Sequence, residues 1–257
     1  MSKTKFIALS TQKGGAGKTT LTVLLASHLH YTKGYKVAII DCDYPQHSIL
    51  EMRTRDKERI SNDPHYKLMA YNLYAKNDKR SYIIIDSKFE EAIDKAKALC
   101  EAHPDLDYIF FDLPGTVNIR GLLDVICGMD YIFTPIVADK VVFESSLRFA
   151  TAITNSLIST GRISVKALYV VWNMVDRREK SELYETFDKI LNEFGIPIME
   201  TMIPDSKRFR RELSETHRPV FRSTLFPIDR KLLRTSGIEE FTTEFLQITQ
   251  PPCQQNE

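Results

Sequence analysis

Apolar and polar residues follow two different rhythms along this chain, one typical of buried strands and one typical of helices. Short, nearly continuous apolar runs end abruptly at polar residues, as expected of strands that are buried on both faces of a parallel sheet. Six such runs are predicted strands, at residues 5–10, 36–40, 82–85, 108–111, 131–135 and 165–171. Between them, apolar residues recur at intervals of three and four, which predicts helices at residues 17–30, 48–59, 142–158, 179–194 and 237–247.

The alternation of strands and helices predicts an α/β fold, with a mostly parallel central sheet of about seven strands flanked by helices. The chain has 257 residues, of which 43% are hydrophobic, enough for one sizeable core. We therefore expect a single domain over residues 1–250 and a disordered tail over residues 251–257. No apolar run is long enough to span a membrane. The four cysteines form no C-x-x-C pair, which fits a reducing cytoplasm.

A glycine-rich loop follows the first predicted strand and leads directly into the first predicted helix. Its sequence is Lys13-Gly14-Gly15-Ala16-Gly17-Lys18-Thr19-Thr20, and the order of strand, glycine loop and helix is the context of a phosphate-binding loop. Glycines let backbone N–H groups converge on phosphate oxygens, and the helix N-terminus adds its positive dipole end. Lys18 would reach the β and γ phosphates, and the Thr19 hydroxyl would bind Mg²⁺. The loop therefore predicts a three-layer P-loop NTPase.

The loop departs from the regular G-x-x-x-x-G-K-[ST] pattern, because Gln12 replaces the first glycine and Lys13 is an additional lysine. The form K-G-G-x-G-K-[ST]-T defines the deviant Walker A proteins, and in it the chain resembles the ParA/MinD family. The resemblance implies a Mg²⁺-dependent ATPase that closes as an ATP-bound homodimer. In such a dimer the lysine at the position of Lys13 reaches the phosphates bound by the other subunit. This gives Lys13 a catalytic role comparable to that of an arginine finger, and Lys18 is the second catalytic lysine, acting on the phosphates of its own subunit. The nucleotide-binding set is Gly14, Gly15, Ala16, Gly17, Lys18, Thr19 and Thr20.

Two aspartates, Asp41 and Asp43, follow the second predicted strand, at the end of the sheet where open α/β folds bind ligands. By resemblance to the family, Asp43 positions or activates the attacking water and Asp41 supports the magnesium shell. The alternative is that an aspartate here simply caps a helix. The family usually continues D-x-D-P-Q, whereas this chain has Tyr44 inserted before Pro45 and Gln46. The sequence leaves the role of Gln46 open.

A further magnesium-associated carboxylate has two candidates, because the third and fourth predicted strands both end at an aspartate. Asp86 is followed by Ser87 and Glu90 at the spacing of a capping box, which would explain these polar residues without a metal. Asp112 is followed by Leu-Pro-Gly, a turn similar to the one that follows the corresponding strand in the ParA/MinD family. We therefore assign the metal role, acting through a water molecule, to Asp112.

Asn173 lies near the end of the sixth predicted strand and is a candidate for recognising the base. Its amide can both donate and accept hydrogen bonds, as an adenine edge requires, and it falls where ParA relatives contact adenine. The spacing from Asn173 to Asp176 also resembles the guanine motif N-K-x-D, with Met174 replacing the lysine, so guanine is the alternative. Pro204 and Asp205 resemble the family segment that covers the base.

Positive charge is concentrated in one segment, although the net charge of the chain is only +1. Residues 207–234 contain nine Lys or Arg residues against three acidic ones. Such a patch attracts phosphate backbones without reading their sequence, and ParA proteins bind nonspecific DNA through basic residues in this part of the chain. The candidates for DNA binding are Lys207, Arg208, Arg210 and Arg211. The alternative is a solvated surface that contacts nothing.

Together, the motifs and the resemblance predict a ParA-type ATPase that partitions plasmid, chromosomal or mobile-element DNA, with slow basal hydrolysis stimulated by a ParB-like partner. We expect it in the cytoplasm, associated with the nucleoid and not with a membrane. A MinD-like membrane ATPase would end in a basic amphipathic helix, but the last predicted helix carries Glu239, Glu240 and Glu244 and no lysine. The alternatives are a deviant Walker A ATPase that positions a non-DNA cargo and a metabolic P-loop enzyme of the same fold.

Overall fold

A parallel sheet with apolar layers on both of its faces organises the chain, as the alternation of strands and helices predicts. The computed structural model describes residues 4–12, 14–77, 79–115, 122–156, 158–161, 164–176, 178, 181–216 and 218–250. Lys13 and the predicted tail at residues 251–257 lie outside them. The strands are β1 (Lys5–Leu9), β2 (Val37–Asp41), β3 (Ile83–Asp86), β4 (Tyr108–Asp112), β5 (Tyr131–Ile136), β6 (Ala167–Val175) and β7 (Ile198–Pro204).

The helices connect these strands and cover the sheet. They are α1 (Lys18–His28), α2 (Ser48–Asn62), α3 (Pro64–Ala70), α4 (Phe89–Ala102), α5 (Leu122–Cys127), α6 (Lys140–Ser156), α7 (Ser181–Glu193), α8 (Arg230–Leu233) and α9 (Ile238–Thr249). Two of them, α1 and α3, continue into π-helical turns at Leu29–Lys33 and Tyr71–Lys76. Among the described residues, no helix combines the length and the apolar character that crossing a membrane requires.

The strand order is β3-β2-β4-β1-β5-β6-β7, and every neighbouring pair is parallel. The connections run to both sides of β1, so the loop after β1 opens at the middle of the sheet, where open α/β folds bind ligands. The register pairs Leu9 with Asp112, Asp112 with Asp41, and Asp41 with Asp86. Three aspartates therefore lie at one level along the carboxyl edge.

Aromatic side chains fill the core on both faces of the sheet. On one face, Phe245 of α9 packs against the ring of Phe133 in β5 at a centroid distance of 5.2 Å. On the other face, the fully buried Trp172 of β6 stacks with Phe143 of α6 and Phe187 of α7. Because both layers are apolar, the polar side chains that could bind a ligand or take part in a reaction lie at the ends of the strands.

Two features differ from the sequence expectations at the ends of helices. The predicted capping box of Ser87 and Glu90 is wrong: α4 begins after Lys88, and Ser87 Oγ donates to the Lys88 carbonyl at 2.7 Å. In addition, the sequence analysis did not predict α3 as a separate helix. That helix begins with Pro64 at its first position and is capped by Asp63, whose carboxylate accepts from His65 N, so a recognisable start signal was present.

Buried polar contacts attach α2 to the segment that precedes α8. Asp56 of α2 is buried and accepts hydrogen bonds from Ser223 Oγ at 2.9 Å, from Thr224 N at 2.7 Å and from Thr224 Oγ1 at 2.8 Å. Arg53, one turn earlier, donates from Nε to Thr224 Oγ1 at 2.9 Å and from Nη2 to the Thr224 carbonyl at 3.1 Å. Residues nearly 170 positions apart in sequence are thus held together without water.

Replacing Asp56 by Ala should lower the free energy of unfolding by about 2–4 kcal/mol, because it leaves two hydroxyls and one backbone N–H buried without their acceptor. Urea denaturation followed by circular dichroism measures the change. Glu58→Ala is the matched control, because Glu58 is an exposed acid on the same helix and its loss should change stability by less than about 0.5 kcal/mol. Equal effects of the two substitutions would contradict the assigned role of Asp56.

Candidate functional site

A cleft of about 600 Å³ opens at the carboxyl edge of the sheet, beside the loop that follows β1. Its volume lies within the range of small-molecule sites. Most residues predicted from sequence to bind nucleotide meet in its wall: Gly14, Gly15, Gly17, Lys18, Thr19, Thr20, Asp43, Asn173 and Asp205. The structure adds others that the sequence did not assign: Gln46, Ser48, Leu113, Pro114, Gly115, Met174, Ser206 and Phe209.

The glycine loop has the backbone conformation that its composition predicts. Gly15 and Gly17 have φ angles of 85° and 91°, in the left-handed region that glycine tolerates best. A Cβ atom at Gly17 would lie 2.3 Å from the Asn173 Nδ2 atom, so this position also needs glycine for lack of space. The first turn of α1 starts immediately afterwards, which leaves its N–H groups directed at the cleft.

Thr19 and Asp112 form the polar pair at the base of the cleft. Thr19 Oγ1 donates to Asp112 Oδ2 at 2.8 Å. Burial raises the pKa of Asp112 to about 7, against the opposing effect of the Thr19 hydrogen bond. Lys18 is also buried, and burial lowers its pKa while the charges of Asp112 and Asp43 raise it. Burial thus disfavours the charged form of both side chains, while their mutual attraction favours it.

The pair of Thr19 and Asp112 fits a magnesium site. Within the described part of the chain, Asp112 Oδ1 is buried without a hydrogen-bond partner, as expected of a carboxylate oxygen that a hydrated cation would satisfy. No group of three or more His, Cys, Asp or Glu in the described residues could hold a metal by itself. Mg²⁺ commonly retains several waters and takes phosphate oxygens as ligands, so one hydroxyl and one nearby carboxylate suffice. Asp86 is exposed and does not line the cleft.

Asp41 makes structural contacts with both of its carboxylate oxygens, and its expected place in the magnesium shell stays a prediction. It is fully buried, and its Oδ2 accepts from Ile49 N at 3.0 Å and from Leu50 N at 3.1 Å. Its Oδ1 accepts from Asp43 N at 3.3 Å. These N–H groups belong to the first turn of α2 and to the loop before it, so Asp41 caps the helix while it positions Asp43. The capping alternative explains both of its oxygens.

The inserted Tyr44 does not displace the residues around it from the cleft. Its side chain is 61% exposed, and the loop is held by bonds from Tyr44 N to the Cys42 carbonyl and from His47 N to the Asp43 carbonyl. Asp43 and Gln46 both line the cleft. The extra residue is therefore accommodated by turning its ring outward, and Gln46 keeps a position next to the nucleotide site.

Asn173 connects the end of β6 to the glycine loop. Its side chain is only 4% exposed, and its Nδ2 donates to the Ala16 carbonyl at 2.8 Å. Ala16 is buried and takes part through this carbonyl; it does not line the cleft. Asp176, which the guanine alternative requires, accepts two bonds from the Arg178 guanidinium, at 2.9 and 2.7 Å, and does not line the cleft. The geometry therefore favours adenine.

The loop after β7 closes the cleft, with one change from the expectation. Asp205 lines the cleft, whereas Pro204, the last residue of β7, does not. Both border a second, smaller cavity of about 450 Å³ that shares Asp205 and Ser206 with the first. Pro204 ends β7 and leads directly into Asp205 at the cleft, and its expected contact with the nucleotide stays a prediction.

The four candidates for DNA binding lie in different surroundings. Lys207 and Arg211 are exposed. Arg208 is committed to the turn after α8, because its Nη1 donates to the Leu232 carbonyl at 2.9 Å and to Thr235 Oγ1 at 2.5 Å. Arg210 lines the nucleotide cleft. Arg210 is exposed like Lys207 and Arg211, whereas Arg208 is partly buried by its internal hydrogen bonds, and DNA binding by the four residues stays a prediction.

Two further arginines of the basic segment also make internal contacts. Arg218 donates to both carboxylate oxygens of Asp63, at 2.9 and 2.7 Å. Arg222 donates to Thr20 Oγ1 at 3.0 Å and to Glu212 Oε1 at 2.7 Å. Both guanidinium groups are thus paired within the protein, although composition alone suggested that their charge is free on the surface.

Comparison with known proteins gives the same fold. The structure of the chain is similar to three solved structures. The first is a "putative plasmid partition protein" from Borrelia burgdorferi B31 bound to AMPPNP (TM-score 0.62, 18% identity, 96% of this chain and 100% of the other). The second is a cobyrinic acid a,c-diamide synthase from Mycobacterium smegmatis with a bound ATP analogue and magnesium (0.61, 16%, 96% and 96%). The third is the pNOB8 ParA bound to nonspecific DNA (0.59, 17%, 96% and 98%).

At identities below 25%, these similarities establish the fold, that of a P-loop NTPase with a seven-stranded parallel sheet. The family is established separately, because residues 7–220 match the model of the CobQ/CobB/MinD/ParA nucleotide binding domain. That match covers most of the chain and includes every cleft residue named above. The chain therefore belongs to the CobQ/CobB/MinD/ParA family of nucleotide-binding domains.

Proposed function

We propose that this protein is a ParA-type ATPase, which binds ATP with Mg²⁺ in the cleft beside β1, closes as a dimer and binds nonspecific DNA. One observation supports the catalytic part most strongly. A single cleft is lined by the glycine loop, Lys18, Thr19, Asp43 and Asn173, and the fully buried Asp112 lies directly behind it, hydrogen-bonded to Thr19. Phosphate, cation, water and base each have a suitable partner there.

The roles follow from the positions of these side chains. Backbone N–H groups of the loop and Lys18 bind the phosphates. Thr19 and Asp112 hold Mg²⁺, which supplies charge neutralisation at the β and γ phosphates when it is bound. Asp43, fixed through its N–H by Asp41, orients the attacking water. The Asn173 side chain recognises adenine. Its hydrogen bond to the Ala16 carbonyl holds the asparagine, and with it the adenine, next to the glycine loop.

The dimer part of the proposal depends on Lys13, which lies outside the described residues and is supported by the family resemblance. In a face-to-face dimer, the amine of Lys13 would neutralise phosphate charge in the opposite subunit. Hydrolysis would then require dimerisation, which gives a slow basal rate and allows an activating partner to control turnover. The ATP-bound and free states would be two populations selected by the γ phosphate.

The DNA part rests on Lys207 and Arg211. Both are exposed and directly flank residues that line the cleft, Ser206 and Arg210. DNA bound at this place would sense closure around ATP. The solved ParA structure bound to nonspecific DNA has the same fold, which supports this reading. Plasmid, chromosomal or mobile-element DNA would be the cargo, with a ParB-like activator, in a cytoplasmic protein associated with the nucleoid.

Replacing Asp43 by Ala should reduce ATP turnover about a hundredfold or more, because it removes the group that orients the attacking water, while ATP binding is retained. Phosphate release and binding of a fluorescent ATP analogue measure the two effects. Asp86→Ala is the matched control: Asp86 is at the same level of the sheet, on β3, which is separated from β1 by two other strands, and its loss should leave turnover unchanged. Parent-level turnover in the Asp43 variant would exclude this role.

Replacing Lys207 and Arg211 together by Ala should weaken ATP-dependent DNA binding and reduce the slope of log affinity against log salt by roughly two, about one per lost phosphate contact. Fluorescence anisotropy of a labelled random duplex at several salt concentrations, with ATP, ADP or no nucleotide, measures this. The control removes two equally exposed lysines from the opposite end of the sheet, Lys36 and Lys166. Equal losses in both double variants would show unspecific charge effects, and absence of DNA binding by the parent would favour a non-DNA cargo.

A further inference from the structure

Arg222 connects the basic segment to the nucleotide cleft. It belongs to the chain between the turn at Lys207–Arg210 and α8, and its guanidinium extends to the first turn of α1. Nη1 donates to Thr20 Oγ1 at 3.0 Å, and Nη2 donates to Glu212 Oε1 at 2.7 Å. Thr20 itself lines the cleft. A residue about 200 positions away from the glycine loop thus touches its last threonine.

The surroundings of Arg222 exclude it from a DNA-binding surface. Its side chain is only 16% exposed and is paired with Glu212, so its charge is largely screened from an external phosphate. Among the described residues, its buried Nε has no hydrogen-bond partner. Its two terminal nitrogens thus connect the cleft residue Thr20 with Glu212.

The contact determines what the Thr20 hydroxyl can do. A hydroxyl has one proton and two lone pairs. Because the Thr20 oxygen accepts from Arg222, its proton is left to donate, and a donated bond is strengthened when the same oxygen accepts from a cation. Phosphate oxygens are the acceptors that this part of the cleft is built to receive, since Thr20 follows Lys18 and Thr19 at the start of α1.

The contact is held in place from α2. Glu212 accepts from Arg222 and also from Arg55, whose Nε lies 3.2 Å from Glu212 Oε2. Arg55 lies on α2, the helix whose start is capped by Asp41 next to Asp43. A continuous set of polar contacts therefore runs from the cleft residue Thr20 through Arg222 and Glu212 to Arg55 of α2.

We propose that Arg222 is a positioning residue for the bound nucleotide, which orients the Thr20 hydroxyl so that it donates to a phosphate oxygen. The inference rests on the proposed ATP-binding function of the cleft and adds a residue from the C-terminal segment to it. Arg222 acts through Thr20 and has no contact of its own with the nucleotide. Its effect must therefore depend on the Thr20 hydroxyl being present.

A double-mutant cycle tests this dependence. ATP and ADP affinities are measured by isothermal titration calorimetry for the parent, Arg222→Gln, Thr20→Val and the double variant. Arg222→Gln should weaken ATP binding about tenfold, the size expected for loss of a charge-assisted hydrogen bond. In the Thr20→Val background, the same change should weaken binding less than about twofold. Arg222→Lys, which keeps a cationic donor, should recover part of the loss.

Arg218→Gln is the matched control, because Arg218 lies in the same segment and pairs with Asp63 away from the cleft. It should lower the Tm without changing ATP affinity. An equal loss from Arg222→Gln with and without the Thr20 hydroxyl, or no loss in a parent background that binds ATP, would overturn the inference. A parent protein that binds no ATP would overturn the proposed function, and this inference with it.

Discussion

The parallel register of β1, β4 and β2 is the constraint on which the cleft depends. Leu9 pairs with Asp112, and Asp112 pairs with Asp41. The strands therefore end at one level, and the glycine loop, Asp112 and the loop with Asp43 emerge next to one another. A slip of one residue in β4 would turn Asp112 to the opposite face and separate it from Thr19. The 2.8 Å hydrogen bond between Thr19 and Asp112 depends on this register.

The opposite wall of the cleft depends on a close approach between β6 and the glycine loop. Asn173 comes near enough to donate to the Ala16 carbonyl only because residue 17 has no side chain. Gly17 thus has two functions, since it permits a left-handed backbone and also leaves room for the asparagine. A base held by Asn173 is consequently placed at a fixed distance from the phosphates.

In the basic segment, pairing and burial decide which positive side chains are available to an external ligand. Arg208, Arg218 and Arg222 are used inside the molecule, by the turn after α8, by Asp63 and by Thr20 with Glu212. A charge that is paired and partly buried contributes little to the field outside the protein. Lys207, Arg210 and Arg211 remain exposed next to the cleft, and Arg230, Lys231 and Arg234 remain exposed around α8, so the proposed nucleotide and DNA contacts would lie side by side at residues 207–211.

The sequence by itself determined the fold class and the glycine loop, because each depends on a local pattern of strand, turn and helix. It favoured Asp112 over Asp86 through the turn that follows Asp112, whereas the capping box expected at Ser87 and Glu90 is wrong. It also placed Asn173 at the cleft, through its position at the end of a strand. It did not predict β7 or α3, it left helix capping by Asp41 as an alternative, and it could not show the place of Gln46 and Arg210 in the cleft or the contact of Arg222 with Thr20. Those depend on side chains that meet across many residues of chain, and only the folded arrangement of the sheet and its loops decides which polar groups find one another.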